Sequence, residues 1–101
     1  MSWSYYENEV SNWGHARGII QNGKPMGQAI KTLEETTELI DAINKGDQEA
    51  IKDAVGDIFV TLLMQCEIQR FTPTEALAAA FEQIKDRKGF LTPEGIFVKD
   101  A

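Results

Sequence analysis

Apolar residues recur every three or four positions over most of this 101-residue chain, and punctuation residues divide the pattern into four predicted helices. Ser4-Tyr5-Tyr6-Glu7 has the spacing of a capping box. Around it Trp3, Tyr6, Val10, Trp13, Arg17 and Ile20 form one stripe, which Asn22-Gly23 ends. Pro25 suits the first position of a second helix, in which Met26, Ile30, Leu33, Thr37 and Ile40 mark the expected buried stripe and Gly46 the stop. Asp47 is the expected N-cap of a third helix running to about Arg70. Thr72-Pro73-Thr74-Glu75 combines a capping box with proline at N1. The fourth helix so started is expected to bury Leu77, Phe81 and Ile84 and to stop before Gly89.

The tail changes character. Phe90-Leu91 and Ile96-Phe97-Val98 flank Thr92-Pro93-Glu94-Gly95, which fits a type I turn with proline at i+1 and glycine at i+3. A short C-terminal β-hairpin can form there, although it stays marginal unless it packs on the helices. There is no repeat, low-complexity tract or linker. The prediction is an all-α, four-helix fold in one domain over residues 1–101.

The acidic residues change this picture. At steps of about 100° per residue, Lys31, Glu35 and Glu38 fall opposite Met26, Ile30, Leu33 and Ile40. An ordinary solvated face would look the same. The third helix argues for more, because Ile58 to Met64 is apolar nearly all round, as in a helix covered on several sides. Asp57 lies one turn before Val60 and Thr61 on that rod, and an unpaired carboxylate there would be costly. Its partner can be a lysine, a helix N-terminus if the third helix starts late, or a metal ion. The acid-bearing face of the second helix, with Leu39 and Ile43 beside it, is the best candidate to meet it. Glu35 and Glu38 are i,i+3 neighbours, and Asp53 and Asp57 are i,i+4 neighbours. Two such pairs on facing helices make an oxygen-rich pocket suited to Mg²⁺, with Mn²⁺ a plausible substitute.

Composition narrows the partners. Sixteen acids against ten bases give a formal charge of −6, which argues against general nucleic-acid binding. The single Cys66 has no intramolecular partner, so a reducing cytoplasmic setting is expected. The first residues lack the basic and apolar regions of a signal peptide. The Ile58–Met64 run is too short to cross a bilayer.

The string Lys31-x-x-Glu34-Glu35-x-x-Glu38-Leu39, followed by Asp53-x-x-Gly56-Asp57 and the apolar run, resembles the MazG-like all-α nucleotide pyrophosphohydrolases. The resemblance extends over about residues 13 to 98, with the basic stretch Lys85-Asp86-Arg87-Lys88-Gly89 included, and the chain resembles the short phage and mobile-element versions of the family. It implies Mg²⁺-dependent hydrolysis of a nucleoside triphosphate to the monophosphate and pyrophosphate. Glu35, Glu38 and Asp57 match the family's metal-holding acids. The fourth family acid falls on Ala54, which cannot ligate, and Asp53 is the natural substitute. Glu34 points about 100° away from Glu35.

Under that resemblance, Glu38 and Asp53 are the candidate catalytic acids, and Lys31, Lys85 and Lys88 the candidate phosphate contacts. Compensation of a helix C-terminus explains Lys85 and Lys88 equally well without a substrate. Trp13 is a candidate for stacking on a base, while a tryptophan on an apolar stripe is more often core. Asn12 and Gln28 are candidate base contacts, and Arg17 a candidate for an acid or a phosphate across an interface. His15 has no second ligand at zinc spacing, and Cys66 reads as core. The apolar stripes of the first and third helices exceed what one small chain can cover, so a homodimer or homotetramer is expected. The alternative is an oligomeric helical protein that binds nucleotide or metal but has lost turnover through Ala54.

Overall fold

The computed structural model describes all 101 residues, from Met1 to Ala101. Five helices are followed by a two-stranded antiparallel sheet: α1 (Trp3–Ala16), α2 (Ile19–Asn22), α3 (Pro25–Lys45), α4 (Gln48–Gln69), α5 (Pro73–Ile84), β1 (Gly89–Leu91) and β2 (Phe97–Lys99). The all-α class with its small terminal hairpin is thus as expected.

Most helix ends follow the expected chemistry. Pro25 opens α3, and Gly46 closes it in the left-handed conformation at φ 66°. Asp47 caps α4 by accepting from the Ala50 N–H, and the Thr72/Glu75 capping box opens α5. The start of α1 differs. Ser2, not Ser4, is the N-cap, accepting from the Tyr5 N–H, while Glu7 accepts from the Trp3 indole at 2.8 Å. The first helical run is also two helices. Gly18 at φ 73° breaks it, because the left-handed region cannot continue an α-helix. That break turns α2 back toward α4.

The frame is the hairpin of α3 and α4, which pack along much of their length through the tight turn at Gly46-Asp47. Their meeting faces are not the apolar ones. Glu35 and Ala42 are the buried residues of α3, and Thr32, Thr36 and Leu39 beside them are half-buried. On α4 the buried residues are Ala54, Thr61, Leu63, Met64 and Cys66. The stripe expected to be buried is exposed instead, with Ile30 at 58% and Leu33 at 67%, and Met26, Thr37 and Ile40 likewise open. The same correction applies to α5, where Leu77 at 73%, Phe81 and Ile84 face outward. The physical reason is local. α4 accepts small and polar partners at close range, so the polar face of α3 is drawn in and its apolar face is left free.

Close approach is also how α1 docks. A Cβ on Gly14 would stand 2.5 Å from Met64 Sδ, so a larger residue there would have to push the Met64 side chain aside. Trp3 packs edge-on against Phe59 with centroids 5.3 Å apart. Glu67 of α4 accepts from both the Ser11 hydroxyl and, at 2.7 Å, the His15 ring. His15 therefore serves an interhelical pair rather than a metal.

Only eight residues are buried, and the radius of gyration is 15.9 Å against about 13 Å for a compact chain of this length. The accessible surface is 7766 Å², whereas a compact monomer of this mass exposes about 5,700 Å². The molecule is an open one.

Candidate metal and nucleotide site

Glu35, Glu38 and Asp57 each bring a carboxylate oxygen into one group, with the three atoms within 4.8 Å of one another. Two come from α3 and one from α4, so the group exists only because these helices pack through this face. Thr32 and Thr61 lie one turn away toward the open end of the hairpin. The Thr32 hydroxyl reaches Thr61 Oγ1 at 2.9 Å, and Thr61 donates to the Ile58 carbonyl at 2.8 Å. Ala42 and Ala54 lie on the other side, and their small side chains let the backbones close. These flanking residues hold the carboxylates together; the hydroxyl pair was not singled out from sequence, although its spacing from Glu35 and Asp57 carried the signal.

Like charges so close raise each other's affinity for protons or cations. Glu38 is held above its ordinary carboxylate range, first by hydrogen bonding to Glu35 and then by the Glu35 charge, with Lys31 opposing. Asp57 is raised chiefly by burial, then by the charges of Asp53 and Glu35. Glu35 is only 8% exposed. Lys31 Nζ stands 3.4 Å from its Oε1, but its Oε2 is shut off from water and receives no donor. A buried oxygen without a donor is costly. Glu35, Glu38 and Asp57 therefore fit a divalent cation, since the single charge of Lys31 does not balance three carboxylates and leaves Glu35 Oε2 without a partner.

Asp53 is not in the three-carboxylate group. It lines a neighbouring cavity of about 290 Å³ with Glu38, Asp41, Lys45, Asp47 and a floor of Ala42, Ala50 and Ala54. Glu38 thus borders both spaces. Asp41 and Lys45 carry no motif in the sequence, and Asp47 is expected there only as the N-cap of α4. Lys31 is bound to Glu34 and Glu35 at 3.4 Å, and their negative charge raises its pKa.

On the other side of Lys31 opens a cleft of about 430 Å³, walled by Trp13, Ile19, Val60 and Met64, with Gln28 and Gly27 at its edge. Trp13 is 40% exposed, so it is a cleft wall and not core, and Arg17 lies over its ring at 5.0 Å. Gln28 shares this cleft, whereas Asn12 does not border it. Lys85 pairs with Glu82 at 2.7 Å. Neither Lys85 nor Lys88 lines the cleft or the Asp53 cavity. Cys66 is buried, and burial raises its thiol pKa.

Comparison with known proteins agrees with this geometry. The model of the MazG nucleotide pyrophosphohydrolase domain matches residues 27–90, a span that holds all of α3 but its first two residues, all of α4 and all three clustered carboxylates. The chain is 33% identical over 55 residues to an uncharacterised 18.2 kDa protein from the rep–hol intergenic region of Haemophilus phage HP1. That match covers 54% of this chain and 34% of the phage protein. No solved structure matches the chain. MazG proteins generally depend on divalent metal, and the acidic cluster is in keeping with that. With the matched span covering more than half of its length, the chain belongs to the MazG nucleotide pyrophosphohydrolase family.

Proposed function

We propose that this protein hydrolyses a ribo- or deoxyribonucleoside triphosphate to the monophosphate and pyrophosphate, with Mg²⁺ as the cofactor and Mn²⁺ able to replace it. The observation that carries this is the donorless Glu35 Oε2, buried beside Glu38 and Asp57 and next to a cleft with an aromatic wall. Glu35, Glu38 and Asp57 hold the ion, with Asp53 on the far side of Glu38. When bound, the ion neutralises phosphate charge and makes water more acidic.

The chain's own groups do the rest. Trp13 stacks on the base, with the Arg17 guanidinium stiffening the opposite side of its ring. Lys31, between cleft and acids, holds a phosphate oxygen as a point charge. Glu38 or Asp53 orients a water and takes its proton. The water oxygen bonds to the α-phosphorus, the bond from that phosphorus to the bridging oxygen breaks, and pyrophosphate departs with the electron pair. Lys85 and Lys88 bind the departing group only if another copy of the chain brings them close.

Association belongs to the same proposal. The surface in excess of a compact monomer is about 2,000 Å² per chain, the scale of an obligate homodimer interface. A homodimer or a homotetramer covers it. The protein acts as one domain over residues 1–101 in a reducing, cytoplasmic setting suited to an unpaired Cys66. No helix is long and apolar enough to cross a membrane, and the charge of −6 disfavours nucleic acid.

A second reading has one observation in its favour. Ala54 leaves the family's fourth acid missing, and Asp53 stands outside the three-carboxylate group. A chain that binds nucleotide or metal without turnover would look like this. Incubation with Mg²⁺ and a panel of nucleoside triphosphates, assayed for pyrophosphate against orthophosphate, separates the two. Pyrophosphate release supports the enzyme; magnesium and nucleotide binding with no product supports the impaired form.

A further inference from the structure

We propose that the C-terminal hairpin is a docking arm that inserts into the apolar groove between α4 and α5 of a second copy of this chain. The inference rests on the association argued above and adds which surfaces meet.

The hairpin is marginal as it stands. Its register places Phe90 opposite Val98 and Leu91 opposite Phe97. Opposed residues share a face of the sheet and successive ones alternate, so both faces are apolar. All four side chains are exposed, as is Ile96 beside them. A two-stranded sheet holds in water only when something covers it. No helix of its own chain comes within 8 Å of it between Cα atoms.

The groove has the complementary defect. It encloses about 760 Å³ and is lined by Trp3, Phe59, Leu62, Phe71 and Leu77 among others. Nothing in the chain fills it, and Phe59, Leu62 and Leu77 are exposed as a result. An apolar arm that nothing in its own chain covers and an apolar groove that nothing in its own chain fills answer one another.

A second copy is the occupant that uses both defects at once. The open shape of the chain, with its 15.9 Å radius of gyration, leaves arm and groove apart. Two-fold symmetry makes the contact reciprocal, each arm leaving its own body to cover the partner's groove.

The test places the photo-crosslinking residue p-benzoyl-phenylalanine at position 97 of the full chain. These chains are refolded with isotopically heavy chains of native sequence, and cross-linked peptides are mapped by mass. The expected result is adducts on heavy peptides spanning residues 59–66 or 71–80. Adducts within the same light chain, or elsewhere on the heavy chain, overturn the arm while leaving association intact. Sedimentation at the 11.3 kDa monomer mass at micromolar concentration overturns both. As an independent measurement, Phe97→Glu should raise the dimer dissociation constant at least tenfold with helical content kept. An unchanged constant overturns the arm.

Discussion

The Thr32 hydroxyl meets Thr61 Oγ1 at 2.9 Å across the α3–α4 interface, one turn from Glu35 and Asp57. A hydrogen bond, rather than an apolar contact, therefore sets the separation of the helices where the carboxylates converge. Thr61→Val keeps the shape, removes the acceptor and leaves Thr32 its other bond to the Gln28 carbonyl. The expected loss is about 1 kcal/mol of stability, together with weaker Mg²⁺ binding, read by thermal melts with and without the ion. Unchanged metal binding would show that the pair does not position the acids.

Asp57→Ala should abolish turnover while helical content stays near wild type. The metal-free melting temperature should rise, because the change removes a half-buried charge that faces Asp53 and Glu35. Pyrophosphate release at the wild-type rate would refute the assignment of this site.

The raised Glu38 and Asp57 values make pH a second test. The folded state holds these protons more tightly than the unfolded state. Their contribution therefore favours folding below the ordinary carboxylate range and is lost as pH rises from about 4 through the raised folded values. Mg²⁺ competes for the same oxygens, so its affinity should increase across that window. Titration calorimetry at several pH values should show the trend, and Glu38→Gln should flatten it. An affinity for Mg²⁺ that is flat or falls with pH would contradict the site.

Asp53 and Ala54 separate a compensated fourth acid from a missing one. Asp53→Ala should weaken magnesium dependence and turnover strongly. If it is silent, three protein acids suffice. Ala54 is 4% exposed but borders the cavity that Glu38 and Asp53 share. Ala54→Glu should therefore lower the metal-free melting temperature by adding a charge and enlarge the shift produced by Mg²⁺, with turnover maintained or improved. A variant that no longer folds even with Mg²⁺ would mean that this cavity cannot admit the side chain.

Trp13→Ala should raise KM by about tenfold, the scale of losing one good base stack, with kcat nearly unchanged. Trp13→Phe should recover most of that loss. A fall in kcat at constant KM would remove Trp13 from base binding.

The helices and their ends could be read from the residues wherever the deciding chemistry is local. Pro25, Gly46, Asp47 and the Thr72/Glu75 box each act through their own backbone within one turn, and each stands where expected. There were two exceptions: Gly18, because nothing in the apolar spacing reveals a left-handed φ, and the start of α1, where Ser2 rather than Ser4 is the cap. The pairing of Glu35 with Glu38 was legible for a related reason: i,i+3 geometry puts both carboxylates on one helix face before any packing is known. The acid-bearing face of α3 was likewise the expected partner of Asp57, and it does meet α4; that the apolar stripe would stay uncovered was not legible. Amphipathicity pointed to Met26, Ile30, Leu33 and Ile40, yet the close packing of Ala42 on α3 and of Ala54 and Thr61 on α4 draws Glu35 in. The apolar stripe stays exposed because periodicity states that a face needs cover, not which chain supplies it. Likewise the Thr92-Pro93-Glu94-Gly95 turn between two apolar runs allowed a hairpin, but only the tertiary structure separated it from every helix of its own chain. The sequence by itself determined the acids, the three later helices and the caps that open and close them. The tertiary structure decided that three of those acids converge, that Asp53 stands apart, and that most apolar side chains remain open.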